Sequence, residues 1–205
     1  MAVLNGYCTV EDIREQLGDA GSRLDGSMIE RKIEAASRRI DEFCGRKFWL
    51  DAAPVSKRYR PKNPDDLLIN DVGSKTGLVV SMDDTFNGAF STTWTIEDDF
   101  TLEPYNADID RPNTHAWWVL VPTGSRTLPV GRRPTVRVTA QFGWSGVPED
   151  IVAASILLAS HILLRKDSPY GVTGMGEFGA VRFARLDPDV RALIQPYVRM
   201  HGVDL

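Results

Sequence analysis

Residues 147–166, VPEDIVAASILLASHILLRK, decide how this chain folds. Pro148 followed by two acids is a strong helix start, which predicts a helix over 148–166. Its apolar side chains surround the helix instead of forming one stripe, and a helix of that kind must be covered on all sides. Two interpretations stay open: a central core helix, or a helix covered partly by its own domain and partly by a neighbouring subunit. For the second we name Ile151, Ile156, Leu157, Leu158, Ile162 and Leu164 as the inter-subunit set.

The first block, residues 1–46, has the periodicity of two helices. Thr9 is a candidate N-cap for a helix over Val10–Leu17, and Gly18 is a stop signal. A second helix is predicted to begin at a capping box formed by Ser27 and Glu30. Its apolar stripe falls at four- and three-residue spacing, at Ile29, Ile33, Ala36, Ile40 and Phe43, and Gly45 ends it.

Residues 47–147 change to short β-type runs separated by turn signals. The predicted strands are Val55–Arg60, Leu67–Asn70, Leu78–Met82, Thr92–Glu97, Phe100–Tyr105, Ala116–Val121 and Thr135–Trp144. Strands at this spacing predict an antiparallel sandwich- or barrel-like insertion. The fold class is therefore α+β: a helical core of about four helices, built from residues 1–46 and 148–205, that carries a β insertion at 47–147.

The C-terminal part of the third block is predicted to form a separate arm. A glycine-rich stretch, 168–180, precedes Asp187 and Pro188, which form a second strong helix start. Apolar residues follow at helical spacing: Leu186, Val190, Leu193, Ile194, Tyr197 and Val198. A tethered amphipathic helix typically fills a groove on a partner. We expect the arm to stand apart from the main fold, so that deletion of residues 186–205 leaves a folded protein.

Composition is that of an ordinary globular protein: 205 residues, 42% apolar and 25% charged, with a net charge of −4. No segment is basic enough to grip DNA through its phosphates. Two cysteines, Cys8 and Cys44, are too few for a disulfide framework, and Cys44 is predicted to be a small core residue. We expect no signal peptide and no membrane span, hence a protein made in the cytoplasm.

No residue pattern predicts catalysis, a cofactor or a metal. The histidines His115, His161 and His201 are scattered, and no nucleophile motif or metal-ligand spacing is present. The carboxylate clusters Asp83–Asp84 and Glu97–Asp98–Asp99 could hold a cation, but solvated acids beside hairpin turns are common. A helix-turn-helix is disfavoured because about nine residues separate the first two helices.

A binding module remains the alternative function. Trp94, Trp117, Trp118 and Trp144 could line a platform for carbohydrate or protein recognition. Trp117 and Trp118 must point to opposite faces if they share a strand, so at most one of them is core. An exposed tryptophan would mark an interface.

Five strings in this order resemble the head–tail connector, or adaptor, proteins of long-tailed double-stranded DNA phages, especially those of actinobacterial hosts. They are YCTVEDIREQLG (7–18), IDEFCGRKF (40–48), VTAQFGWSGVPEDI (138–151), LLRKDSPYG (163–171) and VRFARLDPDVRALIQPY (181–197). The resemblance covers nearly the whole chain, and the central β block matches least. None of the strings is a catalytic signature.

The resemblance implies a non-enzymatic virion protein made in the host cytoplasm. Members of the family form a ring of about twelve copies below the portal and line the DNA exit channel without sequence-specific binding. The implied partners are further copies of the chain, the portal protein, and the next head-completion or tail-terminator protein. In the family the C-terminal segment reaches the portal, which assigns the set from Leu186 to Val198, including Asp187 and Pro188, to portal binding.

Overall fold

The computed structural model describes residues 5–164 and 187–199. Its helices are α1 (Val10–Leu17), α2 (Asp19–Ser22), α3 (Gly26–Cys44), α4 (Ala107–Asp110), α5 (Glu149–Leu164) and α6 (Pro188–Ile194), with a 3-10 turn at Gln195–Tyr197. Its strands are β1 (Val55–Tyr59), β2 (Leu67–Met82), β3 (Thr92–Trp94), β4 (Phe100–Glu103), β5 (Trp117–Pro122) and β6 (Val136–Phe142). The mixture of helices with one antiparallel sheet is an α+β architecture.

Two compact units divide the chain. Met1–Arg46 and Val147–Leu205 form one, here called the helical unit, and Lys47–Gly146 forms the other, the sheet unit. The helical unit brings α1, α3, α5 and α6 together although the sheet unit separates them in sequence. The short α2 occupies part of the segment that the sequence predicted to be a loop.

Helix α1 begins and ends where the sequence predicts. The Thr9 hydroxyl accepts a hydrogen bond from the Asp12 backbone N–H at 3.2 Å, and the Thr9 N–H donates to the Asp12 carboxylate at 2.7 Å. This reciprocal pair is a capping box. Gly18 ends the helix with a positive φ of 57°.

Helix α3 corrects two predictions. Its N-cap is Asp25, and Ser27 lies within the first turn, where its hydroxyl donates to the Asp25 carboxylate, so the predicted Ser27–Glu30 box is wrong. Phe43 was assigned to the apolar stripe, but 37% of it is exposed. Cys44 is buried instead, because it lies four residues after the buried Ile40 and completes the same face.

The strands form one hydrogen-bonded sheet in the order β1-β6-β2-β5-β4, and β3 also pairs with β2. Every one of these pairings is antiparallel. Two predicted strands, Leu67–Asn70 and Leu78–Met82, belong to the single strand β2, whose register shifts on either side of Ser74. In the described residues this one sheet ends at β1, β3 and β4, and its hydrogen bonds neither close into a barrel nor divide into the two sheets of a sandwich.

The sheet unit has its core on one face of β6. Val136, Val138, Ala140 and Phe142 are buried there with residues of β2, β4 and β5. The alternate residues Arg137, Thr139 and Gln141 are half-buried on the opposite face. The polar–apolar alternation of this strand in the sequence is therefore a true period of two.

The segment after β6 is held by close packing and one buried polar bond. Gly143 has a φ of 119°, and a Cβ at this position would lie 1.9 Å from the carbonyl oxygen of Trp49. Next to it, the indole N–H of Trp144 donates to the Asp71 carboxylate at 3.1 Å. A glycine is thus the only residue that this close backbone approach admits.

Candidate assembly surface of the helical unit

Helix α5 is covered by three other helices of its unit, α1, α3 and α6. The Ser155 hydroxyl lies 3.5 Å from both the Cys8 sulfur and the Ser37 hydroxyl, so this side of α5 faces α3. Two residues of the predicted inter-subunit set, Ile151 and Leu158, are buried at 0% and 6% exposure. Ile151 and Leu158 therefore belong to the core of the helical unit.

The other four members of that set lie outside the core. Ile156, Leu157 and Ile162 are half-buried, and 51% of Leu164 is exposed. Leu157 and Leu164 are seven residues apart, which places them on the same side of the helix. Leu157 follows the α3-facing Ser155 by two residues, about 200° around the helix, so it points away from α3.

A groove borders this side of α5. It has a volume of about 320 Å³ and is lined by Asp12, Glu15 and Gln16 of α1 and by Ile156 of α5. Its lining combines one apolar side chain, Ile156, with two acidic side chains, Asp12 and Glu15, and the polar Gln16. Such a combination of an apolar strip with charged edges is typical of a surface that receives another protein.

The C-terminal segment is not separate from the fold in the described residues. Val190 and Ile194 of α6 are fully buried, and Tyr197 is 9% exposed. The Tyr197 hydroxyl donates to the Asp150 carboxylate at 3.0 Å. The expectation of a detached arm is therefore wrong for residues 187–199, because packing against α5 covers its apolar side.

The end of α3 also holds this segment. The Arg199 N–H donates to the Cys44 carbonyl at 2.8 Å, and the Cys44 thiol donates to the Ile194 carbonyl at 3.8 Å. The imidazole of His161 lies 3.5 Å from the Asp187 carboxylate.

What remains accessible in the predicted portal-binding set is a smaller group of residues. Pro188 is exposed, and Asp187, Leu193 and Val198 are half-buried. Leu186 and the glycine-rich stretch 168–180 lie outside the described residues. Portal binding by this set stays a prediction.

The thiols of the helical unit are core groups. Desolvation raises the pKa of the Cys44 thiol from 9.0 to about 12, and burial also raises the pKa of Cys8. A thiol with a raised pKa is a poor nucleophile at neutral pH, since the thiolate is the reactive form. The prediction that Cys44 is a packed core residue is confirmed by its 1% exposure.

The acidic pairs of the sheet unit have structural partners. The Asp83 carboxylate is buried and accepts hydrogen bonds from the Asn87 and Gly88 N–H groups. The backbone N–H of Thr95 and then Arg126 hold the pKa of Asp99 below its usual value. In the described ranges, no group of three or more histidine, cysteine, aspartate and glutamate side chains could hold a metal ion.

Three of the four tryptophans offered as a recognition platform are core residues. Trp94, Trp117 and Trp144 are each at most 5% exposed, so the platform interpretation is wrong for them. Trp118 is half-buried, so Trp117 is the one core residue of this adjacent pair, as predicted. Across residues 5–164 and 187–199, no helix is long and apolar enough to cross a membrane.

The fold of the chain is shared with neck proteins of gene transfer agent particles. The neck of an empty particle, computed with sixfold symmetry, matches at a TM-score of 0.57 and 16% identity, covering 100% of this chain and 96% of that one. The neck of a native particle, computed with twelvefold symmetry, matches at 0.55 and 17% identity with the same coverage. A chain of the native virion matches at 0.55 and 18% identity, again covering 100% and 96%. No protein-family profile and no curated protein matches the sequence.

Proposed function

We propose that this chain is a structural subunit of the neck of a tailed-phage-like particle, joining the head to the tail. The observation that carries the proposal is the apolar strip of α5, where Leu157 stays half-buried and Leu164 stays exposed although α1, α3 and α6 pack against the helix. The shared fold with neck proteins over the full length of the chain supports the same function.

The strip is assigned to contacts between copies of the chain. The structures with the same fold come from necks computed with sixfold and twelvefold symmetry, and a closed ring of identical subunits needs a heterologous interface on each copy. A ring, of about twelve copies in the family that the sequence resembles, places one such interface between every pair of neighbours. In this proposal Leu157, Leu164 and the neighbouring Ile156 lie in that interface, whereas Ile162, seven residues after Ser155, lies on the side of α5 that faces α3.

Portal and DNA contacts complete the proposed function. The accessible residues near α6, Pro188, Leu193 and Val198, are assigned to the portal protein, and the opposite end of the ring to the next head-completion or tail protein. DNA would pass through the ring without sequence-specific contacts, which agrees with the net charge of −4.

Two adjacent residues of α5 provide the test. Leu157→Glu places a charge on the strip, and Leu158→Glu places the same charge in the core, where Leu158 is only 6% exposed. We expect Leu157→Glu to keep the circular dichroism and unfolding midpoint of the parent but to lose oligomers, because truncated interface anchors commonly cost about 2–4 kcal/mol. Leu158→Glu should fail to fold.

Oligomers are measured by native mass spectrometry and electron microscopy of the chain, alone and mixed with the portal protein of the same particle. Oligomers that persist in Leu157→Glu would show that the strip is not the interface. A parent chain that forms no ring under either condition, at any accessible concentration, would contradict the neck function itself.

A further inference from the structure

Two arginines lie directly opposite each other on the polar face of the sheet. Arg58 of β1 pairs in register with Arg137 of β6. The side chain of Arg58 is exposed and that of Arg137 is half-buried, on the face opposite to the buried Val136 and Val138. Like charges directly opposite each other on neighbouring strands are destabilising, so this pair needs an explanation.

The ring of Phe90 holds both guanidinium groups. The Cζ atoms of Arg58 and Arg137 lie 5.3 Å and 5.1 Å from the centre of this ring, within cation–π range. Phe90 belongs to the loop that follows Asp83, whose carboxylate fixes the turn by accepting the N–H of Gly88 at 2.8 Å. A buried acid thus positions the loop that keeps two cations side by side.

Neither guanidinium has a carboxylate partner in the described part of the chain. Arg137 reaches the Ser81 hydroxyl and the Phe90 carbonyl, both at 3.5 Å, the long limit of a hydrogen bond. Each guanidinium carries five N–H donors in a planar fork, so most of the donors remain available. The Phe90 ring attracts each cation, but it supplies no negative charge to offset the repulsion between them.

Two hydroxyl groups extend the same face. Ser56 and Thr139 are the next outward residues along β1 and β6, they pair in register, and their oxygens lie 2.6 Å apart. Two guanidinium groups and a hydroxyl pair on one sheet face supply positive charge and hydrogen-bond donors that suit a phosphate oxyanion, which arginine recognises bidentately.

We propose that Arg58 and Arg137, with the adjacent Ser56 and Thr139 hydroxyls, form a phosphate-binding site on the sheet unit. The bound group is a phosphate oxyanion, either free or in the backbone of DNA. The site needs no base contact, so it would position nucleic acid without reading its sequence. The proposal is independent of the ring interface, because all four residues belong to the sheet unit.

The first experiment titrates the whole chain with inorganic phosphate at constant ionic strength, against chloride and glutamate. Binding is followed by the NMR signals of the arginine Nε–Hε groups and by the melting temperature. We expect phosphate to shift the Arg58 and Arg137 signals and to raise the melting temperature. Arg58→Gln and Arg137→Gln should each bind phosphate at least about tenfold more weakly, since each removes a charged hydrogen-bond donor.

Arg133→Gln is the matched control, because it removes an equal charge from an exposed position of the same unit. In chloride, Arg58→Gln should be at least as stable as the parent, since it removes the repulsion between the two cations. Loss of the phosphate response can then not be ascribed to misfolding.

A second arm uses a short DNA duplex. If the backbone is the ligand, the slope of log affinity against log salt concentration should fall by about one for each arginine replaced. A response to phosphate alone assigns the site to the free ion, and a response to the duplex, with or without free phosphate, assigns it to the backbone. An equal response to glutamate would mean a carboxylate site for an acidic protein segment and would overturn the proposal, as would an unchanged response in both arginine variants or no response to either ligand.

Discussion

Replacement of Ile194 by alanine tests whether α6 is part of the folded core. Ile194 is fully buried, and its neighbour Leu193 is half-buried on the same helix. Truncation of a buried isoleucine costs about 2–5 kcal/mol, from lost transfer free energy and the cavity left behind. The same truncation of Leu193 should cost about 1 kcal/mol or less, because much of that side chain already contacts water.

A loss of about 2–5 kcal/mol is a large part of the total stability of a domain, which is about 5–15 kcal/mol. Val190, Ile194 and Tyr197 are the buried anchors of the segment. At about 1.5–3 kcal/mol for each side chain, removing all three would cost about 4–9 kcal/mol. The structure therefore reverses the expectation from sequence that a chain lacking residues 186–205 remains folded.

The assay is urea denaturation of the parent, Ile194→Ala and Leu193→Ala, followed by tryptophan fluorescence and circular dichroism. We expect a lower midpoint for Ile194→Ala with a similar slope, and a midpoint for Leu193→Ala close to that of the parent. Equal midpoints for all three proteins would refute the reasoning, because they would mean that α6 contributes nothing to the core in solution. Tests of portal binding should accordingly replace Leu193 or Val198 instead of deleting the segment.

Two further predictions concern the backbone and the thiols. Gly143→Ala should lower the free energy of unfolding by more than about 4 kcal/mol, because its Cβ would overlap the Trp49 carbonyl. Gly88 has a φ of 91°, and no atom lies within 4 Å of a Cβ added there, so Gly88→Ala should cost only the backbone strain of about 1–3 kcal/mol. Denaturation of both variants measures the difference. The raised pKa of Cys44 means that the unfolded thiol ionises above pH 9 while the folded one stays protonated to about 12. The unfolded state then binds fewer protons, so stability should fall as the pH rises from 9 towards 12, and Cys44→Ala should show a shallower fall in pH-dependent denaturation.

Local signals in the sequence were sufficient where a single residue determines the backbone. Thr9 and Gly18 bound α1, and Asp187 with Pro188 starts α6, as predicted. The physical reason is that caps and stops act within one helical turn, on groups that are adjacent in sequence. The alternation of β6 was equally readable, since one face of that strand is buried and the other is polar.

The sequence was insufficient to predict features that depend on contacts between residues far apart in the chain. One local signal also failed: Ser27 has the spacing of a capping box, but Asp25, two residues earlier, is the N-cap of α3. The gap between the predicted strands Leu67–Asn70 and Leu78–Met82 is part of β2, because β6 pairs with Val72 and Ser74 as well as with Val79–Met82. The juxtaposition of Arg58 and Arg137 could not be predicted from the sequence. It depends on the register between β1 and β6, which pairs two residues 79 positions apart in the chain.

The apolar character of α5 illustrates why a sequence cannot assign an interface unaided. Its residues were predicted to need cover on all sides, and the structure supplies three helices that cover most of them, including Ile151 and Leu158. A partner chain is therefore needed only to cover the side of α5 that carries Leu157 and Leu164. A charged substitution at a covered position of α5 would test folding only. A charged substitution at Leu157 or Leu164 would test assembly in a protein that still folds. The accessible side chains of Leu157 and Leu164 therefore support a ring subunit, whereas the hydrophobicity of the helix as a whole does not.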